Sequence, residues 1–65
     1  MSVAELAGLV GRSGLLDLTS DRVALSVAVV IHDAREVFGR RDVLIEPVAG
    51  RGRAWVALDR VRLSE

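Results

Sequence analysis

The residues able to do chemistry in this chain are few, and their spacing keeps them apart. One histidine exists, His32, and Asp33 follows it directly. Consecutive side chains on a strand point to opposite faces, so this pair cannot work as a general base with its orienting carboxylate. A polar strand end leaving the core is the plainer role. Ser2, Ser13, Ser20, Ser26 and Ser64 stand in no nucleophile-elbow context, and no second histidine is present to activate one. Asp17, Asp21, Asp33 and Glu36 lack the dense alternating oxygens of a calcium loop, and turn and surface roles suit them better. Gly50-Arg51-Gly52-Arg53 is too short to cradle a phosphate and has neither the lysine nor the following Ser/Thr; it reads as a tight turn with solvated arginines. With no cysteine, disulfides and thiolate metal sites are excluded. A lone histidine does not assemble a metal site without several carboxylates around it. The inventory predicts no catalytic residue, no metal, no cofactor and no small-molecule substrate: the chain does not read as an enzyme.

One constellation suits binding: Arg53, Trp55, Arg60 and Arg62. If Ala54, Val56 and Leu58 face the core, then Arg53, Trp55 and Ala57 share the outer face. Trp55 then presents an amphipathic ring beside guanidinium groups, which suits stacking on bases or clamping a peptide proline. It equally suits a subunit interface, where Trp and Arg are enriched anchors. The alternative is that Trp55 points inward and supplies bulk, since Phe38 is the only other aromatic.

The elements that must position these residues can be read along the chain. Ser2 and Glu5 fit a capping box, Val3, Leu6, Ala7 and Val10 recur at helical spacing, and Gly11 is a C-cap candidate; a short helix is expected over residues 2–10. Gly11 to Gly14 reads as a flexible link, Leu15, Leu16 and Leu18 as a short apolar segment, and Thr19 to Arg22 as a turn. Val23, Leu25, Val27, Val29 and Ile31 alternate with smaller residues and predict a strand with one face in the core. A rival helix would be capped by Asp21, carry Val23, Val27, Val30, Ile31, Ala34, Val37 and Phe38 on one face, and end at Gly39. Six β-branched residues in that window favour the sheet. Phe38 to Asp42 is then a hairpin connection and Asp42 to Val48 a second strand, with Pro47 at an edge or end. Val48 to Arg53 turns the chain, and Ala54 to Leu58 is a third strand. The apolar phase is even at Val56 and Leu58 and odd at Val61 and Leu63, so a bulge or single helical turn is expected at Asp59-Arg60.

That rhythm, with Trp55-Val56-Ala57-Leu58-Asp59-Arg60-Val61-Arg62-Leu63 as its most suggestive stretch, resembles a Src-homology-3-type small barrel over roughly Leu25 to Leu63. The resemblance implies a mainly β fold: a barrel of four to five short antiparallel strands over residues 23–63, with the N-terminal helix outside it. Such barrels serve as peptide binders, nucleic-acid binders and assembly modules, so the likeness narrows fold and not function.

Size and composition set the functional expectation. Sixty-five residues allow one small domain, and a chain of that size hides only ~60% of its unfolded surface. It is 51% hydrophobic with a mean hydropathy of +0.36, and apolar surface that cannot be buried internally marks an interface. A homo-oligomer or a protein partner is therefore expected, in a non-catalytic interaction or assembly module. The nine basic residues are all arginine and are balanced by nine acids, which argues against a polyanion-coating surface. From Gly39 to Leu63, however, six arginines face three acids, an excess of 6 − 3 = 3. Nucleic-acid binding through that half is the alternative function. No targeting segment and no apolar run near the ~20 residues of a membrane span are visible, so a cytoplasmic protein without membrane contact is expected. Lysine-free, Arg-, Val- and Ala-rich usage suggests a GC-rich bacterial or phage genome.

Overall fold

Two hairpins that share one long strand build this molecule. The computed structural model describes residues 3–64, and it runs α1 (Val3–Ala7), β1 (Ser13–Ser20), β2 (Val23–Val37), β3 (Arg40–Pro47), β4 (Ala54–Ala57), a 3-10 turn (Leu58–Arg60) and β5 (Val61–Leu63). All ladders are antiparallel and the strand order is β4-β3-β2-β1-β5. The mainly β expectation holds, and β2 takes in the window for which a helix was the rival.

The fifteen residues of β2 divide their labour. Its first half pairs with β1, from Ser20↔Val23 to Ser13↔Val30. Its second half pairs with β3, from Val29↔Pro47 to Val37↔Arg40. A β-bulge interrupts the second ladder between Ile31 and Asp33, leaving His32 as the extra residue. A bulge bends its strand and adds twist. It also changes the parity of the buried face. Val29 and Ile31 are fully buried at odd positions, whereas beyond the bulge Ala34, an even position, packs on the core opposite Val43. That one-residue shift is why Val27, Ile31 and Ala34 also trace a helical stripe in the sequence. His32 is thus mid-strand, not the strand end its polarity suggested.

Among the described residues seven side chains form the buried cluster: Leu9, Leu16, Val29, Ile31, Val43, Ile45 and Val61. Leu16 and Val61 come from the β1–β5 side, Val43 and Ile45 from β3, and Leu9 from the turn after α1. A flat sheet would not bring the two sides to one cluster. Connectivity demands the same curl. β4 and β5 lie at opposite edges, about 19 Å apart if four strand spacings were laid flat, yet a three-residue 3-10 turn joins them and spans only about 8 Å. The sheet therefore curls, but no ladder joins β4 to β5 among the described residues, so its two edges remain open and the strand pairing stops short of a closed barrel.

Local chemistry explains most boundaries. The helix stops at Ala7, shorter than the 2–10 expected, and residues 8–11 continue as a turn; the Ser2 half of the capping box lies outside the described residues. Gly11, at φ 89°, turns the chain so that its N–H reaches the Ile31 carbonyl at 2.8 Å while the Ile31 N–H reaches Arg12 O at 2.9 Å. Gly14, expected in a flexible link, is instead a buried strand residue. A Cβ there would sit 2.6 Å from the Arg62 carbonyl oxygen, so only glycine permits β1 and β5 to approach so closely. β3 starts two residues earlier than expected because Phe38-Gly39 alone makes the turn, with φ of 51° and 78°, the signature of a type I′ hairpin. The phase break after Leu58 is the predicted helical turn, Leu58–Arg60.

Candidate interaction site

Trp55 pairs across the ladder with Leu44, while its neighbour Val56 pairs with buried Val43. Trp55 therefore lies on the outer face and keeps 37% of its surface exposed. The inward alternative, in which this ring filled the core, is overturned: seven aliphatic side chains already do so. The partner of the ring is Arg35, whose guanidinium carbon lies 4.0 Å from the ring centroid. Arg35 also sets its Nε 3.7 Å from Asp42 Oδ2, directly across the β2–β3 ladder. Asp42, Arg35 and Trp55 thus form a short charged-aromatic row across β3, β2 and β4. A cation over a partly exposed ring contributes about 0.5–1 kcal/mol, so the row pins the β4 edge and covers one ring face.

The three arginines grouped with Trp55 are dispersed. Arg53 is exposed in the loop before β4, Arg60 ends the 3-10 turn, and Arg62 projects from β5 opposite Leu15. Arg62 shares the outer face with Trp55 but belongs to the other edge strand. Arg35, at the ring, carried no signal in the sequence because its adjacency depends on a register set by the bulge. Glu46 was missed for the same reason. Its Oε1 lies 2.8 Å from His32 Nε2, both side chains about one-third exposed, so the lone histidine is tied to a carboxylate fourteen residues on instead of to Asp33. Asp33 Oδ1 accepts a bond from the Ala34 N–H, and Asp17 one from Ser26 Oγ. Among the described residues no three His, Asp or Glu side chains gather as a metal site.

Three exposed apolar side chains, Leu18, Val23 and Leu25, lie together where the sheet runs out of neighbours. β5 reaches β1 only at Gly14–Leu16, and β3 reaches β2 only from Val29. Between Asp17 and Val27 the β1–β2 hairpin is therefore a two-stranded ribbon with both edges open. Leu18 and Leu25 face each other across it, on the side that carries Leu16 and Val29 further down. Leu18, Val23 and Leu25 remain 45%, 48% and 56% exposed. The inner face thus extends past the core into solvent. A two-stranded ribbon is marginal by itself, and open edges are templates for another chain. No helix among the described residues is long and apolar enough to cross a membrane.

Compared with family models, with curated proteins and with solved structures, the chain matches none.

Proposed function

We propose that this chain is a non-catalytic protein-interaction and assembly module that forms a homo-oligomer, with the open β1–β2 ribbon as its principal contact. The observation that carries the reading is the row Leu18, Val23 and Leu25, about half exposed on the continuation of the core face. A surface of this kind is stabilised when a second apolar surface covers it, at roughly 25 cal/mol per Å² removed from water. The curled sheet, with a helical turn between its last two strands, keeps the likeness to a Src-homology-3-type barrel. In this reading, closure of such a barrel is incomplete and the open edges add backbone groups to the contact.

The test is the solution mass of the whole chain against concentration. A mass above 7.0 kDa that falls toward it in L25D is expected, because a charge on the exposed row obstructs association without entering the core. A 7.0 kDa species at every concentration, together with no partner captured by the wild type and lost by L25D, would overturn the reading.

Nucleic-acid binding through Arg53, Trp55, Arg60 and Arg62 has less support. Arg35 occupies one face of the ring, and Trp55 and Arg62 belong to the two opposite edge strands. Salt-dependent binding of DNA or RNA that weakens in R53A or R60A would favour it over assembly.

A further inference from the structure

The hairpin at the far end of β2 carries a feature the fold does not require. Phe38 is fully exposed, 100% of its surface, at a backbone φ of 51°. Bulky side chains are rare in that left-handed region, and the first position of a type I′ turn favours Asn, Asp or Gly. The residue is both strained and unpacked in the isolated chain, and an outlier of that kind is a reason to look for function. Immediately beside it lies an open cleft of about 470 Å³ lined by Gly39, Arg40, Arg41, Asp42, Ala57, Leu58 and Asp59. Ala57 and Leu58 supply apolar surface, and the charged lining is two arginines and two aspartates. Among the described residues Arg40, Arg41 and Asp59 make no ion pair, and only Asp42 is engaged, by Arg35.

We infer that two copies of this chain pair at this end, each seating Phe38 in the cleft of the other; the inference rests on the reading that the chain assembles. Two observations select a second copy as the occupant. Knob and cleft adjoin at Gly39, so one patch carries both halves of the contact, as a two-fold interface requires. The cleft lining holds equal numbers of arginines and aspartates, a balance that lets an identical patch be seated with Arg40 or Arg41 against Asp59 of the other copy. That same balance disfavours a polyanion, which Asp42 and Asp59 repel, and a polycation, which Arg40 and Arg41 repel. The contact is small. A standard interface takes about 800 Å² per partner, roughly a sixth of this chain's 4772 Å², and a single turn with one cleft supplies less. The pair is therefore weak, as interfaces below the standard size are.

Sedimentation equilibrium of the wild type, F38N, D59R and L25D tests it. F38N suits the turn better than the native residue, so its melting temperature is at or above that of the wild type and loss of association cannot be laid to unfolding. With the ribbon blocked by L25D, the expected residual species is a dimer of twice 7.0 kDa. F38N in that background raises the dissociation constant at least about 30-fold, the cost of truncating a central aromatic anchor. D59R, which leaves a single acid in the cleft, weakens it about 10-fold in low salt. An unchanged mass on adding F38N, whether monomer or oligomer, overturns this contact. In that event an L25D-sensitive oligomer of the otherwise wild-type chain would leave the ribbon reading standing, so the two failures are told apart.

Discussion

Gly14 shows how one residue type sets how closely two strands can pack. It lies buried where β1 meets β5, and any Cβ would press on the Arg62 carbonyl oxygen at 2.6 Å. The obstacle is backbone, which cannot rotate aside as a side chain would. G14A is therefore predicted to cost about 2–3 kcal/mol, at the upper end for overpacking. In a domain this small that lowers the melting temperature by on the order of 10 °C or more, measurable by thermal circular dichroism; an unchanged transition would contradict the close approach. In the sequence this glycine reads as part of a link, because a strand glycine and a loop glycine look alike until its neighbour is known. The site residues divide in the same way. Trp55 and the nearby arginines stand out by type, but the direction of the ring depends on its pairing with Leu44 and the placing of Arg35 beside it on the Arg35↔Asp42 pairing. The His32–Glu46 contact depends on the same long-range register.

At the scale of elements, β2 organises the molecule. Its odd-numbered valines and isoleucine announce a strand up to Ile31, and that much is legible because period-two burial is a local pattern. The bulge is not legible. It shifts the buried face by one position, and the resulting spacing of Val27, Ile31 and Ala34 imitates a helical stripe. The structure makes a sharp prediction from this. Removing His32 leaves Ile31↔Ile45, Asp33↔Leu44 and Ala34↔Val43 in place and only straightens the strand, so the deletion variant should fold, with loss of bend and of the Glu46 contact. Removing Ala28 instead turns every residue on one side of the gap to the opposite face, and that variant should not give a cooperative thermal transition. If both deletions behave alike, the bulge is misplaced. The helical turn between β4 and β5 was legible from the phase break after Leu58. The reach of β1 to Ser20 was not, because the polar run Thr19-Ser20-Asp21-Arg22 reads as a turn and only the pairing with β2 draws its first two residues into the strand.

For the whole molecule, the governing fact is a seven-residue core beneath a sheet that outruns it. A chain of this size gains little margin from burial alone, and with no cysteine it cannot be stapled by disulfides. What it has is surplus: an apolar ribbon with two open edges at one end, and an exposed phenylalanine beside a charge-balanced cleft at another hairpin. The excess of apolar residues was visible in composition. Its location was not, because it depends on where β3 and β5 stop pairing. Association is the physical event that would stabilise the ribbon, and backbone amide exchange reads that directly. Hydrogen exchange of the wild-type chain should be compared at low and high concentration, with residues 17–27 followed individually. Their edge-facing amides should exchange fast in dilute solution and slow markedly when the chain is concentrated, while Val29, Ile31 and Val43 are protected throughout. Fast exchange across residues 17–27 at the highest concentration, under conditions where the measured mass has already risen above 7.0 kDa, would show that the ribbon is not the contact.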